Sequence, residues 1–266
     1  VTIPDLTYIA MKQTMPGRRR TLLRFFSIQS AQRANHVITI SNFSQGEICR
    51  ILKLNPGKTT VTHLGAMRNA SSNSSESWDE LTRRYRIRTP YVVAFGGRTL
   101  NKNIPRLIRA FALVKDAFPH SLVLIGHIPS NVDLATESKE IRDRVTTTGY
   151  VPEEHVLPLL NHADLFMLPS LYEGFGLPVL EAQQADVAVA CSTAGSLPEV
   201  GGGGALYFDP TSVEHIADTI RRCLADATLR SQLILKGRAN LARFSWNNTA
   251  RETLSVYQDV FKQNHE

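Results

Sequence analysis

The chain has 266 residues, and its 30 Lys and Arg against 24 Asp and Glu give a formal net charge of +6 at pH 7. Hydrophobic residues make up 42% and charged residues 20%, which is typical of globular proteins and excludes disordered, collagen-like and coiled-coil chains. No apolar run reaches the roughly 20 residues that cross a bilayer. The basic residues form no long stripe interleaved with aromatic residues, which disfavours nucleic acid as a partner and fits an anionic small molecule.

The three cysteines lie far apart and without metal-ligand spacing, so we expect a cytoplasmic protein in a reducing environment. The chain starts with the strand-like residues VTI and without Met. We therefore expect that the natural N-terminus is missing and that residues 1–67 are the remainder of a first domain.

Two short strands and one helix are predicted in this first part. VITI at residues 37–40 and TTVTHL at residues 59–64 read as strands, and Ser44 with Glu47 fits a capping box that starts the intervening helix. The segment at residues 68–77, RNASSNSSES, is small, polar and without periodicity, as interdomain linkers are.

From residue 91 onward, β-branched runs alternate with amphipathic stretches, which predicts an α/β fold with a parallel sheet. The first strand, YVVAFGG, is followed by the loop RTLNKN and by a helix. Five apolar residues of this helix share one face: Ile104, Leu107, Ile108, Phe111 and Val114. Five more strands follow, the second of them at residues 145–151. We expect one doubly wound domain over residues 78–245.

The motif PSLYEGFGLPVLEA combines two glutamates, two glycines and a proline. Pro178 suits the first turn of a helix, and Gly174 and Gly176 allow the backbone before it to approach a ligand closely. Such a helix N-terminus favours an anion. Glu173 is expected in the loop after a strand and Glu181 in the first turn of the helix. The alternative is that Glu181 only complements the helix dipole and that Glu173 is solvated.

Two cations follow the first strand of the same domain. Arg98 and Lys102 lie in FGGRTLNKNI, so we expect them at the carboxyl edge of the sheet, facing the helix that Pro178 starts. Two cations opposite a helix N-terminus suit a pyrophosphate. The alternative is that both are ordinary surface charges.

These blocks, together with TGYVPEEHVLPLLNHADLFMLPS, SLPEV and FSWNNTARETLSVY, resemble the C-terminal half of GT4 (group 1) retaining glycosyltransferases that use nucleotide sugars. The likeness runs over residues 91–260. It implies the GT-B fold, in which two Rossmann-like domains face each other across a cleft and the second domain binds the donor. Residues 246–266 would be the helix that crosses back to the first domain.

The resemblance also implies roles for the motif residues. Arg98 and Lys102 would hold the donor diphosphate and stabilise the departing nucleoside diphosphate without a metal. Glu173 would contact the transferred sugar, and Glu181 would accept hydrogen bonds from the ribose hydroxyls. The remaining residues expected at the donor, Gly149 to Val151 of them at the nucleobase, are Gly97, Gly149, Tyr150, Val151, Gly174, Phe175, Gly176 and Leu177.

The implied function is transfer of a sugar, with retention of anomeric configuration, from GDP-mannose or a UDP-sugar to a glycan or lipid-linked acceptor. Mannose is the favoured sugar. Two alternatives stay open: a fragment or module that binds the nucleotide sugar without transferring it, and a GT-B sugar-nucleotide epimerase. An epimerase would convert the donor with no acceptor present.

Two positions depart from the family pattern, and one basic segment lies outside it. Pro4 stands where the family often has His near the reacting centre, and we do not transfer that role to the neighbouring Asp5. Asp186 stands where relatives usually have Gly, and Asp tolerates the left-handed conformation expected at a helix end. The segment GRRRTLLRFF, at residues 17–26, could lie on an anionic membrane surface. An ordinary surface helix is the interpretation that we favour.

Overall fold

The computed structural model describes residues 1–12, 16–66, 76–97, 99–128, 132, 134, 137–263 and 265. Arg98 and most of the predicted linker at residues 68–77 lie outside the described residues.

Two parallel sheets organise the described part of the chain. A two-stranded sheet contains β1 (Val37–Thr39) and β2 (Thr59–Val61). A six-stranded sheet has the order β5-β4-β3-β6-β7-β8 and contains β3 (Tyr91–Phe95), β4 (Ser121–Ile125), β5 (Val145–Thr147), β6 (Leu165–Leu168), β7 (Val189–Ser192) and β8 (Ala205–Phe208). All neighbouring strands are parallel, which confirms the doubly wound sheet. The order reverses between β3 and β6, where such sheets form a crevice at the carboxyl edge.

The helices fill the connections between the strands and cover the larger sheet. In chain order they are α1 (Thr7–Ala10), α2 (Gly17–Arg33), α3 (Asn42–Leu52), α4 (Trp78–Tyr85), α5 (Ile104–Ala112), α6 (Lys139–Arg142), α7 (Glu153–Asn161), α8 (Leu177–Gln184), α9 (Leu197–Gly201), α10 (Val213–Ala225), α11 (Ala227–Leu241) and α12 (Trp246–Gln263). The predicted apolar face from Ile104 to Val114 is buried against the sheet, as expected. Burial on both faces explains the nearly continuous apolar runs of β3, β4 and β6.

The start of α3 differs from the sequence prediction. Ser41, and not Ser44, caps this helix, because the Ser41 hydroxyl accepts a hydrogen bond from the Ser44 N–H at 3.0 Å. Glu47 lies on the helix surface and pairs with Arg50 at 2.8 Å. Ser44 is fully buried and its hydroxyl does not cap the helix, so this hydroxyl can bond a residue of another segment.

Two further details concern positive φ angles. The strand predicted at residues 145–151 ends at Thr147, because Gly149 has a φ of 67° and leaves the extended conformation. Asp186, two residues beyond the end of α8, has a φ of 56°. The expectation that Asp adopts the left-handed conformation at this helix end is confirmed.

The last helix lies against the first part of the chain. The Thr249 hydroxyl donates to the backbone carbonyl of His63 at 2.5 Å, and Trp246 packs directly on Gly65. Further along α12, Val256 lines the same groove as Ile38 of β1. The domain boundaries themselves stay predictions. Within the part of the chain that the structure describes, no helix has the length and apolar character of a membrane span.

Candidate functional site

The site lies where the loop after β3 meets the loop after β6, at the reversal of strand order. Asn101 and Asn103, both buried, join the two loops. The Leu171 N–H donates to the Asn101 carbonyl at 2.7 Å, and the Asn103 side-chain amide donates to the Pro169 carbonyl at 3.0 Å. Neither asparagine was predicted from the sequence, although their hydrogen bonds bring the two motifs together.

Lys102 and Glu173 form an ion pair across this junction. Lys102 Nζ lies 2.9 Å from Glu173 Oε1, and the two side chains are 20% and 14% exposed. The Ser170 hydroxyl donates to the same carboxylate oxygen at 2.6 Å. Gly97 makes room for the lysine, since a Cβ there would lie 2.8 Å from Lys102 Cγ. Both side chains are therefore mostly covered and paired with each other, and their roles stay predictions.

Glu181 lies deeper, in the second turn of α8. The first turn of this helix contains no acidic residue, so the expected first-turn position was wrong. Burial raises the pKa of Glu181, the nearby Lys102 ammonium opposes this shift, and Glu153 reinforces it. Its carboxylate makes no hydrogen bond to any other residue that the structure describes. Lys102 thus pairs with Glu173 and also acts electrostatically on Glu181.

Residues 173–177 form a tight turn before α8, which we call the amide turn. Ser196 holds the first residue of this turn: its N–H and its hydroxyl both donate to the Glu173 carbonyl at 3.1 Å. The same hydroxyl donates to the Phe175 carbonyl at 2.6 Å. Gly195 has a φ of 65°, and a Cβ there would overlap the Glu173 backbone. The loop after β7 therefore fixes the turn from behind.

A second set of donors comes from the start of α3. The hydroxyls of Ser41 and Ser44 donate to the Gly174 carbonyl at 2.7 and 3.0 Å. The N–H and C=O of a trans peptide point in opposite directions, so the Phe175 N–H points away from Ser41 and Ser44, and the N–H groups of Gly174 and Gly176 point away from Ser196. Among the described residues, none accepts a hydrogen bond from the N–H groups of Gly174, Phe175, Gly176 or Leu177.

The amide turn therefore presents unpaired donors at a helix N-terminus. Residues 174–176 are buried, and Gly176 has a φ of 107°, a conformation that favours glycine. Unpaired buried N–H groups are costly unless a ligand satisfies them. Together with the helix dipole and the Lys102 ammonium, they provide the chemistry that binds phosphate oxygens.

Asp5 contributes a carboxylate from the N-terminal segment. A Cβ at Gly174 would overlap the Asp5 side chain, so the two residues are in direct contact. The other carboxylate oxygen accepts from the Thr7 N–H at 2.8 Å, which fixes the orientation of the side chain. No role for Asp5 follows from the sequence, and only the fold brings it to the glutamate motif.

The residues predicted at the nucleobase lie at the same edge of the sheet but further from Glu173. Gly149, Tyr150 and Val151 follow β5, which is two strands away from β3. The Tyr150 side chain is 79% exposed, and Val151 is partly buried. No described contact joins these three residues to Lys102 or Glu173. Among the described residues, no cluster of His, Cys, Asp and Glu could hold a metal ion.

Relatives in sequence cover almost the whole chain. It is 30% identical over 263 residues to O-antigen chain mannosyltransferase B of Escherichia coli, covering 97% of this chain and 69% of that protein. It is also 30% identical over 200 residues to the serotype-specific mannosyltransferase WbdA of Escherichia coli, covering 73% of this chain. The chain spans 24% of the length of WbdA.

Similar folds occur among solved structures. Sucrose-phosphate synthase from Thermosynechococcus elongatus has a TM-score of 0.77 at 21% identity, covering 98% of this chain and 67% of that chain. HepE of Anabaena, solved in complex with UDP and glucose, has a TM-score of 0.74 at 19% identity, covering 97% and 70%. The predicted GT-B fold is thereby confirmed.

The family model described as glycosyl transferases group 1 matches residues 79–240, which include β3 to β8 and both glutamates of the motif. The match covers more than half of the chain. The chain belongs to the group 1 glycosyltransferase family.

Proposed function

We propose that this chain binds a nucleotide sugar at the crevice between β3 and β6 and transfers the sugar, with retention, to a glycan or lipid-linked acceptor. The observation that carries the proposal is the meeting of the Lys102 ammonium, the Glu173 carboxylate and the unpaired N–H groups of the amide turn. A diphosphate needs several fixed donors and a cation, and this junction offers both.

The leaving group of the reaction is a nucleoside diphosphate, on which negative charge increases as the sugar departs. Donors that are already oriented stabilise this charge without reorganisation. Lys102 and the N–H groups of the amide turn fit that role. Arg98, which lies outside the described residues, is proposed as the second cation on the basis of the family motif. We propose no metal in this step.

Glu173 is proposed to orient the transferred sugar, because Lys102 and Ser170 hold its carboxylate in one position. Glu181 is proposed to accept hydrogen bonds from the ribose hydroxyls, which would satisfy its unpaired carboxylate. We assign neither glutamate as a nucleophile. Retention is proposed to follow from same-face substitution, in which a phosphate oxygen of the donor assists the acceptor hydroxyl.

GDP-mannose is the proposed donor and mannose the proposed transferred sugar, supported by the names of the two mannosyltransferases from Escherichia coli. A UDP-sugar is the second candidate, since HepE, with the same fold, was solved with UDP and glucose. Gly149, Tyr150 and Val151 are proposed to contact the base, and Gly97 to shape the floor beneath Lys102. Contact with a membrane through residues 17–26 is proposed only as a secondary feature.

Calorimetry with GDP and UDP, followed by a transfer assay with GDP-mannose and UDP-glucose, tests the proposal. We expect micromolar to millimolar binding of one nucleotide and transfer from the matching donor. The Glu173→Gln variant should keep nucleotide binding and lose transfer. Binding without transfer by the wild type would favour the binding module, and conversion of the donor sugar without an acceptor would favour the epimerase.

A further inference from the structure

One backbone carbonyl of the amide turn is held by two side chains that are distant in sequence. The Gly174 carbonyl accepts hydrogen bonds from the hydroxyls of Ser41 and Ser44, which precede it by 133 and 130 residues. Both serines are fully buried. A carbonyl oxygen has two lone pairs, so these two donors saturate it.

The position of the two serines is itself fixed. The Ser41 hydroxyl accepts from the Ser44 N–H while it donates to Gly174, so one group caps α3 and grips the turn. On the other side, the Glu199 carboxylate accepts from the N–H groups of Asn42 and Phe43 at 2.9 and 3.2 Å. Glu199 belongs to α9, which directly follows Ser196, the residue behind the amide turn. The start of α3 is thus anchored to the larger sheet's own loops.

The peptide between Gly174 and Phe175 needs such an anchor. A Cβ at Gly174 would overlap the Asp5 side chain, so only glycine fits at this position. The glycine backbone rotates more freely than that of any other residue. If this peptide turned over, the Phe175 N–H would point toward the serines and the Gly174 carbonyl toward the crevice. An acceptor would then face the phosphate in place of a donor, and the two would repel each other.

We propose that Ser41 and Ser44 are positioning residues, which hold the Gly174 carbonyl so that the Phe175 N–H faces the diphosphate of the donor. The segment that carries β1 and α3 thereby completes a phosphate site on the other sheet. The inference rests on the proposed function and assigns that site two residues outside the glutamate motif.

Ser44→Ala is the primary variant, since Ser44 does not cap α3 and its hydroxyl hydrogen-bonds only Gly174 among the described residues. We expect the affinity for GDP or UDP, measured by calorimetry, to fall about tenfold or more, as for loss of one hydrogen bond to a charged group. The affinity for guanosine or uridine, which carry no phosphate, should stay unchanged. Ser41→Thr, which keeps the hydroxyl, should bind GDP or UDP better than Ser41→Ala.

Ser121→Ala is the matched control. Ser121 is a buried serine that donates to a backbone carbonyl, that of Arg88, at the opposite edge of the sheet. The Ser121→Ala variant should leave the affinity for the nucleoside diphosphates and the affinity for the nucleosides unchanged. Equal affinity of folded Ser44→Ala and wild type for the diphosphates, or an equal loss for nucleosides, would overturn the inference. A wild type that binds neither GDP nor UDP would instead overturn the proposed function.

Discussion

The Nζ atom of Lys102 lies 2.9 Å from the Oε1 atom of Glu173 and joins the two loops between which the strand order reverses. The pair places a cation and an anion at one point of the crevice. A diphosphate that enters would share the lysine with Glu173, and the second carboxylate oxygen of Glu173 would accept from a sugar hydroxyl. Lys102 is therefore central to the proposed donor site.

Replacing Lys102 with Ala should weaken binding of GDP or UDP by roughly 1.5–3 kcal/mol, the usual loss for a hydrogen bond to a charged group. Calorimetry at low and high salt would measure the change. Lys115→Ala is the control, because Lys115 pairs with its neighbour Asp116. Unchanged affinity in Lys102→Ala would remove this lysine from the site.

Gly195→Ala should destabilise the protein by about 1–3 kcal/mol, because a positive φ and overlap with the Glu173 backbone both oppose a side chain. Urea denaturation would measure the free energy of unfolding. Gly46→Ala has the opposite sign: Gly46 lies within α3 with open space around its Cα, and we expect a gain of roughly 0.5–1 kcal/mol. Equal effects of the two substitutions on the free energy of unfolding would contradict the close contact between Gly195 and the Glu173 backbone.

Glu181→Gln should make the protein more stable above the ordinary glutamate pKa. Burial raises the pKa of Glu181, so the contribution of this residue to stability is fully present below pH about 4.5 and is lost as the pH rises through its folded-state pKa. Glutamine removes this loss. Urea denaturation at several pH values would show a flatter profile for the variant. Identical profiles would mean that the carboxylate is solvated.

Glu199→Gln should behave in the opposite way. Burial alone would raise the pKa of Glu199, but hydrogen bonds from His63 and from the N–H groups of Asn42 and Phe43 outweigh it and lower the pKa. The carboxylate therefore stabilises the protein above about 4.5, and this contribution is lost as the pH falls through the folded-state pKa.

At neutral pH we expect Glu199→Gln to cost about 1–2 kcal/mol in the free energy of unfolding. Glu47→Gln is its control, since Glu47 pairs with the exposed Arg50 and should change stability by less than about 0.5 kcal/mol. The two variants compared by urea denaturation at pH 7 would test whether the contact between α9 and α3 is stabilising.

Local patterns were sufficient wherever one segment carries its own signal. The apolar spacing from Ile104 to Val114 predicts its buried face, because helical periodicity alone decides which side chains share a face. Asp186 was expected in the left-handed conformation because relatives usually have Gly at this helix end and Asp tolerates the same conformation. Pro178 likewise predicted the start of α8, which begins at Leu177.

The sequence by itself determined the parallel α/β sheet and the two motifs at its carboxyl edge, since hydrophobic periodicity and Gly or Pro signals act over a few residues. Tertiary structure alone decided the partners of those motifs. Ser44 was predicted to cap a helix, but its hydroxyl donates to the Gly174 carbonyl. Asp5 was given no role, but its side chain packs on the same glycine. Such hydrogen bonds join residues more than 100 positions apart, and no local pattern encodes which of many serines or carboxylates will meet a given carbonyl.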